Sequence, residues 1–272
     1  MIAAAPAGSP EARALLARLA ATPHLLVALD FDGTLSHLSD EPMSVRALPE
    51  AAEAVRSLAA APGTDVAFVS GRTLHDLRVI AEHDDDSPFH LAGSHGAEFW
   101  HPRGSAVRDD ASVSPVDEDR PDEADEVLAA VEAAVEALDG AWIERKEFGF
   151  GLHTRLANAA DTDRATSAVD TIVAERAPAW RRRTGRDILE FAWRHEGKDA
   201  AVAALREQLA ATAVLFAGDD VTDEDALRSL RETDLGIKVG AGETAAAVRV
   251  ASPGELAQVL SQLARMRSAA QE

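Results

Sequence analysis

The ten residues LLVALDFDGT, at positions 25–34, decide how this chain folds. The short apolar run 25–29 is typical of a strand that is buried on both faces of a parallel sheet. Asp30 and Asp32 follow at the point where this strand ends, and Gly33 and Thr34 come directly after them. Since open α/β sheets bind their ligands outside the carboxyl ends of the strands, this stretch predicts both a sheet core and the position of a site.

Further apolar runs alternate with helix-like segments on both sides of the middle of the chain. Alternation of strand and helix is the signature of a doubly wound α/β fold. We therefore expect a Rossmann-like parallel sheet core built from residues 1–102 and 196–272. Its other predicted strands and helices are strands at 65–69, 89–92, 214–217 and 235–239, and helices at 49–60, 73–82 and 200–209.

The middle of the chain, residues 103–195, predicts an inserted α+β cap domain. Its first part, to residue 126, is acidic and contains prolines, which is typical of a solvated linker. Val127, Val131, Val135 and Leu138 then recur at helical spacing. The remainder predicts a β-rich piece at 142–155, a second helix at 161–177 and a second strand region at 180–193.

Composition excludes several classes of function. The 272 residues carry 27 Lys and Arg against 47 Asp and Glu, a net charge of −20, which argues against nucleic acid or an anionic membrane as a partner. The absence of cysteine excludes disulfide scaffolds, thiolate metal sites and cysteine nucleophiles. The apolar runs are far shorter than the ~18 residues of a membrane span, and the first residues lack the pattern of a secretory signal. We expect a cytoplasmic protein.

The two carboxylates after the first strand suit phosphoryl transfer. Asp30 can attack phosphorus as a nucleophile, and Asp32 can give a proton to the leaving oxygen and later take one from water. Gly33 lets backbone amides approach a phosphate oxygen. The alternative is an Asx-turn after a strand with no chemical role.

A second group of acids, at 218–225, follows another buried strand and predicts a cation site. Carboxylates packed this closely repel one another unless a cation neutralises them, and Mg²⁺ prefers such hard oxygen ligands. On this argument Asp219 is the first candidate for holding the cation, and Asp223 is the second. Glu224 and Asp225 are better explained as first-turn helix acids that the helix dipole favours.

Three further residues are candidates for holding a phosphate. Ser70 ends the second strand and can donate to a phosphoryl oxygen, and Arg72 can clamp one. Lys198 precedes a predicted helix and can neutralise a phosphate as a point charge. Each has an ordinary alternative, since Ser before Gly is a common turn and most lysines are solvated.

Taken in order along the chain, these motifs resemble those of the haloacid dehalogenase-like phosphatases. The matching residues are Asp30 and Asp32, Ser70, Lys198, and the acidic motif of Asp219, Asp220 and Asp223. The long insert before Lys198 resembles the cap of the C2 class. This resemblance implies an aspartyl-phosphate mechanism that depends on Mg²⁺. It also implies that Asp219 holds the ion together with Asp30 and the backbone carbonyl of Asp32, with Asp220 or Asp223 completing the shell.

A narrower resemblance, over about 26–250, is to the trehalose-6-phosphate phosphatases. It is carried by GSHGAE at 93–98, GDDVTDE at 218–224, FVSGR at 68–72, and ERK at 144–146 followed by HTR at 153–155. It implies hydrolysis of trehalose 6-phosphate. After Glu190 the family usually carries Arg-Pro and then Lys-Gly, where this chain has Ala192-Trp193 and Lys198-Asp199.

The resemblance also implies the residues that contact the substrate. They would be Gly33, Thr34, Arg72, His95 and Glu98 from the core, and Lys146, Arg155 and Glu190 from the cap. Strand alternation puts Glu190 on the face opposite Leu189 and Phe191, but gives Lys146 the wrong parity unless a hairpin turn lies near Glu147. Gly149 and Gly151 would leave room for a ligand to approach.

Two other functions remain open at this level. One is a related phosphatase for another phosphorylated sugar or a glycosyl-phosphoglycerate. The other is a catalytically silent sugar-phosphate sensor. In each case the partner is a small sugar phosphate; a trehalose-6-phosphate synthase would be a separate chain, and we expect a monomer.

Overall fold

The computed structural model describes residues 4–105, 107, 120–146, 148–185, 187–194 and 197–269. The chain divides into two compact units. The larger contains residues 1–112 and 196–272, and the smaller contains residues 113–195. Most of the acidic segment that was predicted to be a solvated linker lies outside the described residues, and its last residues belong to a helix.

The larger unit is built on a sheet of eight described strands. In chain order they are β1 (Ala5–Pro6), β2 (Leu25–Leu29), β3 (Thr64–Val69), β4 (His90–Gly93), β5 (Glu98–Trp100), β10 (Ala213–Gly218), β11 (Leu235–Val239) and β12 (Val248–Val250). Their order across the sheet is β1-β12-β11-β10-β2-β3-β4-β5. All neighbours are parallel except β4 and β5, which form an antiparallel pair.

This order is that of a doubly wound sheet and confirms the predicted fold class. From β2 the chain moves outward through β3 and β4, and from β10 it moves outward through β11 and β12 in the opposite direction. The switch point therefore lies between β2 and β10, which pair in register from Leu25 with Ala213 to Leu29 with Ala217. Ligands of open α/β sheets bind at such a switch point.

Helices cover both faces of the sheet. They are α1 (Pro10–Ala20), α2 (Pro49–Ala59), α3 (Leu74–Ile80), α6 (Lys198–Gln208), α7 (Asp223–Ser229) and α8 (Pro253–Ala269). Leu25, Val27 and Leu29 pack in a core with α1, α2 and α8, whereas Leu26 and Ala28 pack in a second core with α6 and α7. Because β2 is buried on both faces, the residues that point to either face of the sheet are apolar.

Several elements differ from the sequence predictions. Lys198 is the first residue of α6 and does not precede the helix, because Gly197 is its N-cap. The short strands β1, β5 and β12 were not predicted, since runs of two or three residues carry too little periodicity. The described helices include none long and apolar enough to cross a membrane.

The smaller unit is a four-stranded antiparallel sheet with two helices. Its elements are α4 (Ala124–Val135), β6 (Trp142–Lys146), β7 (Gly149–His153), α5 (Ala159–Arg176), β8 (Arg181–Gly185) and β9 (Ile188–Ala192), and the strand order is β6-β7-β9-β8. One sheet face packs on α4 and α5 through Phe150, Leu152, Leu189 and Phe191. The opposite face, called the open face below, carries Glu190, as the alternation predicted.

Candidate active site

The candidate site begins where β2 and β10 end side by side. The backbone N–H of Asp30 donates to the carbonyl of Ala217 at 3.0 Å, which ties the first residue after β2 to β10. Asp219 follows Gly218, the last residue of β10. Parallel pairing thus brings two acidic segments together that are almost 190 positions apart in the sequence.

Asp30, Asp219 and Asp223 form a compact carboxylate cluster. One oxygen from each side chain lies within 4.8 Å of the others, and Asp30 and Asp223 are buried. The ammonium group of Lys198, from the first turn of α6, donates to Oδ1 of Asp30 and to Oδ1 of Asp223, each at 2.6 Å. When all three carboxylates are ionised, the single ammonium of Lys198 leaves two negative charges uncompensated.

Burial and mutual repulsion shift the proton affinities of this cluster. Burial raises the pKa of Asp30 well above its usual range, against the opposing effect of Lys198. Burial, followed by the charge of Asp223, raises the pKa of Asp219 to about 6. Burial alone would lower the pKa of Lys198, but Asp223 and Asp30 outweigh it and raise that pKa, so the ammonium stays charged.

The donor set of the cluster fits a divalent cation. Carboxylate oxygens are hard ligands of the kind Mg²⁺ takes, and such an ion would balance the two uncompensated charges. Among the described residues it is Asp223, and not Asp220, that joins Asp30 and Asp219. The backbone N–H of Asp220 instead donates to Oδ2 of Asp223 at 2.9 Å and fixes the orientation of that carboxylate.

Asp32 lies outside this cluster because Arg72 holds it. Nε of Arg72 donates to Oδ2 of Asp32 at 2.7 Å, and Nη2 donates to Oδ1 at 2.8 Å. The same guanidinium donates to the carbonyl of Pro42 at 2.8 Å. Arg72, which the sequence suggested as a phosphate clamp, therefore fixes the second aspartate of the motif in this structure.

Gly33 and Thr34 support Asp219. Gly33 has φ +77°, and a Cβ at this position would lie 2.2 Å from Oδ2 of Asp219, so the turn requires glycine both for its backbone and for space. Thr34 is fully buried, and its hydroxyl lies 3.5 Å from Oδ1 of Asp219. In this structure both residues shape the carboxylate cluster.

Ser70 is the first residue after β3, the strand that pairs with β2. Its hydroxyl oxygen accepts the backbone N–H of Arg72 at 3.1 Å, which leaves the hydroxyl proton to be donated. His95 is anchored to the same residue, since its backbone N–H donates to the Ser70 carbonyl at 2.9 Å. The His95 ring lies over Gly71, where a Cβ would be 2.7 Å from it.

Glu98 and Gly96 serve the packing around the site. The carboxylate of Glu98 accepts the backbone N–H of Leu74 at the start of α3, at 3.1 Å, and the hydroxyl of Ser94 at 2.5 Å. A Cβ at Gly96 would lie 2.6 Å from Cβ of Ala201 in α6. Gly96 thus allows α6, and with it Lys198, to approach the sheet.

Lys238 is a residue of this site that the sequence predictions missed. It lies in β11, is 4% exposed, and donates to the backbone carbonyl of Asp219 at 2.5 Å. Its ammonium also lies 3.7 Å from Oε1 of the buried Glu224, whose Oε2 accepts the N–H of Ala245. The signal was a lone charge inside the apolar strand LGIKV, because such a charge is buried only with partners.

In the smaller unit, the open face brings Lys146 and Glu190 together. The ammonium of Lys146 donates to Oε1 of Glu190, although β7 lies between their strands. The hairpin between β6 and β7 pairs Lys146 with Gly149 and so resolves the parity problem. A Cβ at Gly151 would lie 3.4 Å from Cε of Lys146 and 3.2 Å from Ile188. The space over Gly151 is therefore filled by side chains and lets Lys146 cross β7.

A second contact chain lies on the same face. His153 Nε2 and Glu144 Oε2 are 2.7 Å apart, and this hydrogen bond lowers the pKa of Glu144. The ring of His153 stacks on Trp142, with centroids 4.7 Å apart and planes 4° from parallel. Arg155, which alternation grouped with His153, is exposed and lies in the turn after β7 has ended.

Comparisons with known proteins relate this chain to one family. The model of the trehalose-phosphatase family matches residues 28–257. The chain is 36% identical over 259 residues to an uncharacterized glycosyl hydrolase of Mycobacterium tuberculosis strain H37Rv, covering 88% of this chain and 18% of that protein. It is 32% identical over 261 residues to the trehalose-phosphate phosphatase of Mycobacterium leprae, covering 89% of this chain and 58% of that protein. The chain thus spans less than two thirds of these relatives.

The fold is also that of a solved structure. The C-terminal domain of the Candida albicans trehalose-6-phosphate phosphatase superposes with a TM-score of 0.79 at 18% identity. The superposition covers 97% of this chain and 99% of that one. At this identity the likeness concerns the fold.

Proposed function

The chain belongs to the trehalose-phosphatase family, and we propose that it is a Mg²⁺-dependent phosphatase that hydrolyses trehalose 6-phosphate to trehalose and phosphate. The observation that carries the proposal is the buried cluster of Asp30, Asp219 and Asp223 around Lys198 at the switch point of the sheet. The substrate assignment is supported by the family and by the charged open face of the smaller unit.

In the first step Asp30 is the nucleophile. Its carboxylate oxygen forms a bond to phosphorus while the bond from phosphorus to the sugar oxygen breaks. Asp32 gives its proton to that sugar oxygen, so the sugar leaves as a neutral alcohol. The ion pair with Arg72 holds the Asp32 carboxylate in one position. Because a bidentate guanidinium favours the ionised carboxylate, this pair must loosen before Asp32 can be protonated.

In the second step water replaces the enzyme at phosphorus. Asp32 takes a proton from the water, whose oxygen bonds to phosphorus as the bond to Asp30 breaks, and phosphate is released. The ammonium of Lys198 and the hydroxyl of Ser70 hold the phosphoryl oxygens as their charge grows.

The cation-binding residues are Asp30, Asp219 and Asp223, with Asp220 orienting the last of these through its backbone N–H. Bound Mg²⁺ would neutralise phosphoryl oxygens and so reduce their repulsion of the attacking carboxylate. Lys238 donates to the backbone carbonyl of Asp219 and so helps to fix the position of this residue.

The sugar contacts are proposed to come from the smaller unit. Lys146 and Glu190 offer a donor and an acceptor side by side, and Glu144 offers a further acceptor. A hydroxyl-rich disaccharide needs such charged hydrogen-bonding groups, and groups left unpaired by a wrong sugar reject it. Arg155 is a further candidate at the end of this face.

The test is phosphate release from trehalose 6-phosphate, glucose 6-phosphate, sucrose 6-phosphate and mannosyl-3-phosphoglycerate, with Mg²⁺ and with excess EDTA. We expect Mg²⁺-dependent turnover with preference for trehalose 6-phosphate. Preference for another sugar phosphate would keep the phosphoryl chemistry and discard the sugar assignment. Release from none of them would overturn the proposal in favour of a silent sensor.

A single substitution tests the nucleophile. Asp30→Asn removes the attacking charge but keeps the shape of the side chain, so it should abolish turnover and leave binding of the sugar phosphate measurable by calorimetry. Turnover that survives this change would show that the nucleophile is a different residue.

A further inference from the structure

Trp142 is an aromatic residue on the open face of the smaller unit that the proposed phosphatase chemistry does not use. It is the first residue of β6 and is 37% exposed, one of the few large apolar side chains with that much exposed surface among the described residues. His153 covers one side of the indole in a parallel stack. The ring is thus held in a fixed orientation and remains accessible.

A chain of contacts supports this orientation. Oε2 of Glu144 accepts a hydrogen bond from Nε2 of His153 at 2.7 Å, and Lys146 lies 4.0 Å from the same carboxylate. Lys146 in turn donates to Glu190. A continuous row of side chains therefore runs across the open face from the indole to the Lys146–Glu190 pair.

The length of this row exceeds what a single hexose needs. Trp142 and Lys146 are four residues apart on one strand, which corresponds to about 13 Å at ~3.3 Å per residue. One hexose ring at the Lys146–Glu190 pair leaves the indole uncovered, whereas two joined rings reach it. The row also changes from charged groups at one end to an aromatic surface at the other.

We propose that Trp142 is the platform on which the second hexose ring of a disaccharide phosphate stacks, and that it selects disaccharide over hexose phosphates. The proposal rests on the proposed function, whose substrate it makes more specific. The C–H groups on one face of a pyranose ring are apolar and pack on an indole, while Glu144 accepts a hydroxyl at the ring edge. His153 is a positioning residue that holds the indole flat.

The test compares kcat/KM for trehalose 6-phosphate and glucose 6-phosphate in Trp142→Ala, Trp142→Phe and Leu156→Ala. Leu156 is an exposed apolar residue of the same unit that lies outside the row, and its variant is the matched control. We expect Trp142→Ala to lower the preference for the disaccharide about tenfold through KM, which is the scale of one aromatic contact. Trp142→Phe should retain most of the preference for the disaccharide.

An unchanged preference for trehalose 6-phosphate over glucose 6-phosphate in Trp142→Ala would overturn the proposal. This includes an equal fall in kcat/KM for both substrates, which would indicate a structural role. Circular dichroism and thermal unfolding show whether each variant is folded. If the alanine variant is not folded, loss of the preference in a folded Trp142→Phe variant would contradict the proposal, because phenylalanine keeps an aromatic surface.

A binding measurement separates this inference from the proposed function. Calorimetric titration with trehalose needs no turnover, and Trp142→Ala should weaken trehalose binding about tenfold relative to Leu156→Ala. If the wild type hydrolyses none of the sugar phosphates but binds trehalose through Trp142, the proposed function fails and the platform stands. If the wild type does not bind trehalose, the platform is refuted whatever the phosphatase assay shows.

Discussion

Arg72 donates two parallel hydrogen bonds to the carboxylate of Asp32, from Nε to Oδ2 at 2.7 Å and from Nη2 to Oδ1 at 2.8 Å. The two residues are 40 positions apart and follow neighbouring strands, β2 and β3. Since a planar guanidinium fixes both the position and the plane of a carboxylate, Arg72 decides where the second aspartate of the site points.

Replacing Arg72 should therefore impair turnover more than binding. We expect Arg72→Ala to lower kcat by about tenfold to a hundredfold, within the contribution of a positioned acid–base group, and to change KM little. Arg72→Lys should recover only part of the loss, because lysine keeps the charge but not the paired geometry. Steady-state kinetics with trehalose 6-phosphate measure both constants.

The control for Arg72 is Arg46→Ala. Arg46 belongs to the same larger unit, and its ion pair with Glu82, at 3.6 Å, is exposed. Such surface pairs contribute little, so kcat should stay at the wild-type value. A wild-type kcat in Arg72→Ala would contradict the positioning role.

Gly33 gives a test of the cation site that does not depend on turnover. A Cβ at Gly33 would lie 2.2 Å from Oδ2 of Asp219, so Gly33→Ala should displace that carboxylate. Mg²⁺ should raise the melting temperature of the wild type by binding the folded state, and this rise should be lost in Gly33→Ala. Thermal unfolding with and without Mg²⁺ measures it.

Gly240 provides the matched control for Gly33. It has the same φ of +77°, but a Cβ there has open space around it. Gly240→Ala should thus cost about 1 kcal/mol of stability from the left-handed backbone while keeping the response to Mg²⁺. A full response to Mg²⁺ in Gly33→Ala would refute the role of Asp219 in holding the cation.

Lys238 should contribute to both stability and cation binding. Lys238→Met leaves the buried Glu224 without its nearest cation and the Asp219 carbonyl without a donor. Breaking a buried pair in this way should lower the free energy of unfolding by about 3 kcal/mol and weaken Mg²⁺ binding. Urea unfolding and calorimetric titration with Mg²⁺ measure the two effects.

The double variant Lys238→Met/Glu224→Gln separates the effect on stability from the effect on Mg²⁺ binding. Removing the charge of Glu224 as well should restore part of the stability, because no uncompensated charge then stays buried. The weakened Mg²⁺ binding should persist, since the Asp219 carbonyl still lacks its donor. If Mg²⁺ binding recovers together with stability, Lys238 has no separate effect on the cation site.

Asp65 predicts a pH dependence of stability at the amino end of the sheet. Burial would raise its pKa, but hydrogen bonds from His90 and His24 outweigh burial and lower it. A lowered folded-state pKa means that the charged form stabilises the fold above the unfolded-state pKa of about 3.9, and that this stability is lost as the pH falls through the folded-state pKa. Asp65→Asn should melt below the wild type at pH 7, and the difference should close below about pH 4.

Glu243→Gln is the control for Asp65. Glu243 is an exposed carboxylate in the same unit, so the melting temperature of the Glu243→Gln variant should follow that of the wild type over the same pH range. A gap between Asp65→Asn and the wild type that stays constant down to pH 3 would show that the effect is one of packing and not of charge.

Much of the fold followed from local patterns. Residues 25–29 and 214–217 had to be central parallel strands because every position in them is apolar, and both faces of the sheet are indeed covered by helices. The sides of β9 followed from alternation, which put Leu189 and Phe191 in the core of the smaller unit. The short strands β1 and β12 escaped prediction because their pairing, and not their own residues, makes them strands.

The sequence by itself determined that Asp30 and Asp219 each end a buried strand. Only the tertiary structure decided the partners of the charged groups. It placed Asp223 in the carboxylate cluster beside Lys198, whereas the sequence had left Asp220 and Asp223 open for the cation shell. It also paired Arg72 with Asp32 and placed the ammonium of Lys238 against the carbonyl of Asp219. The physical reason is that strand and helix periods are local properties of the chain, whereas a buried charge is stabilised by groups that folding brings to it from distant segments.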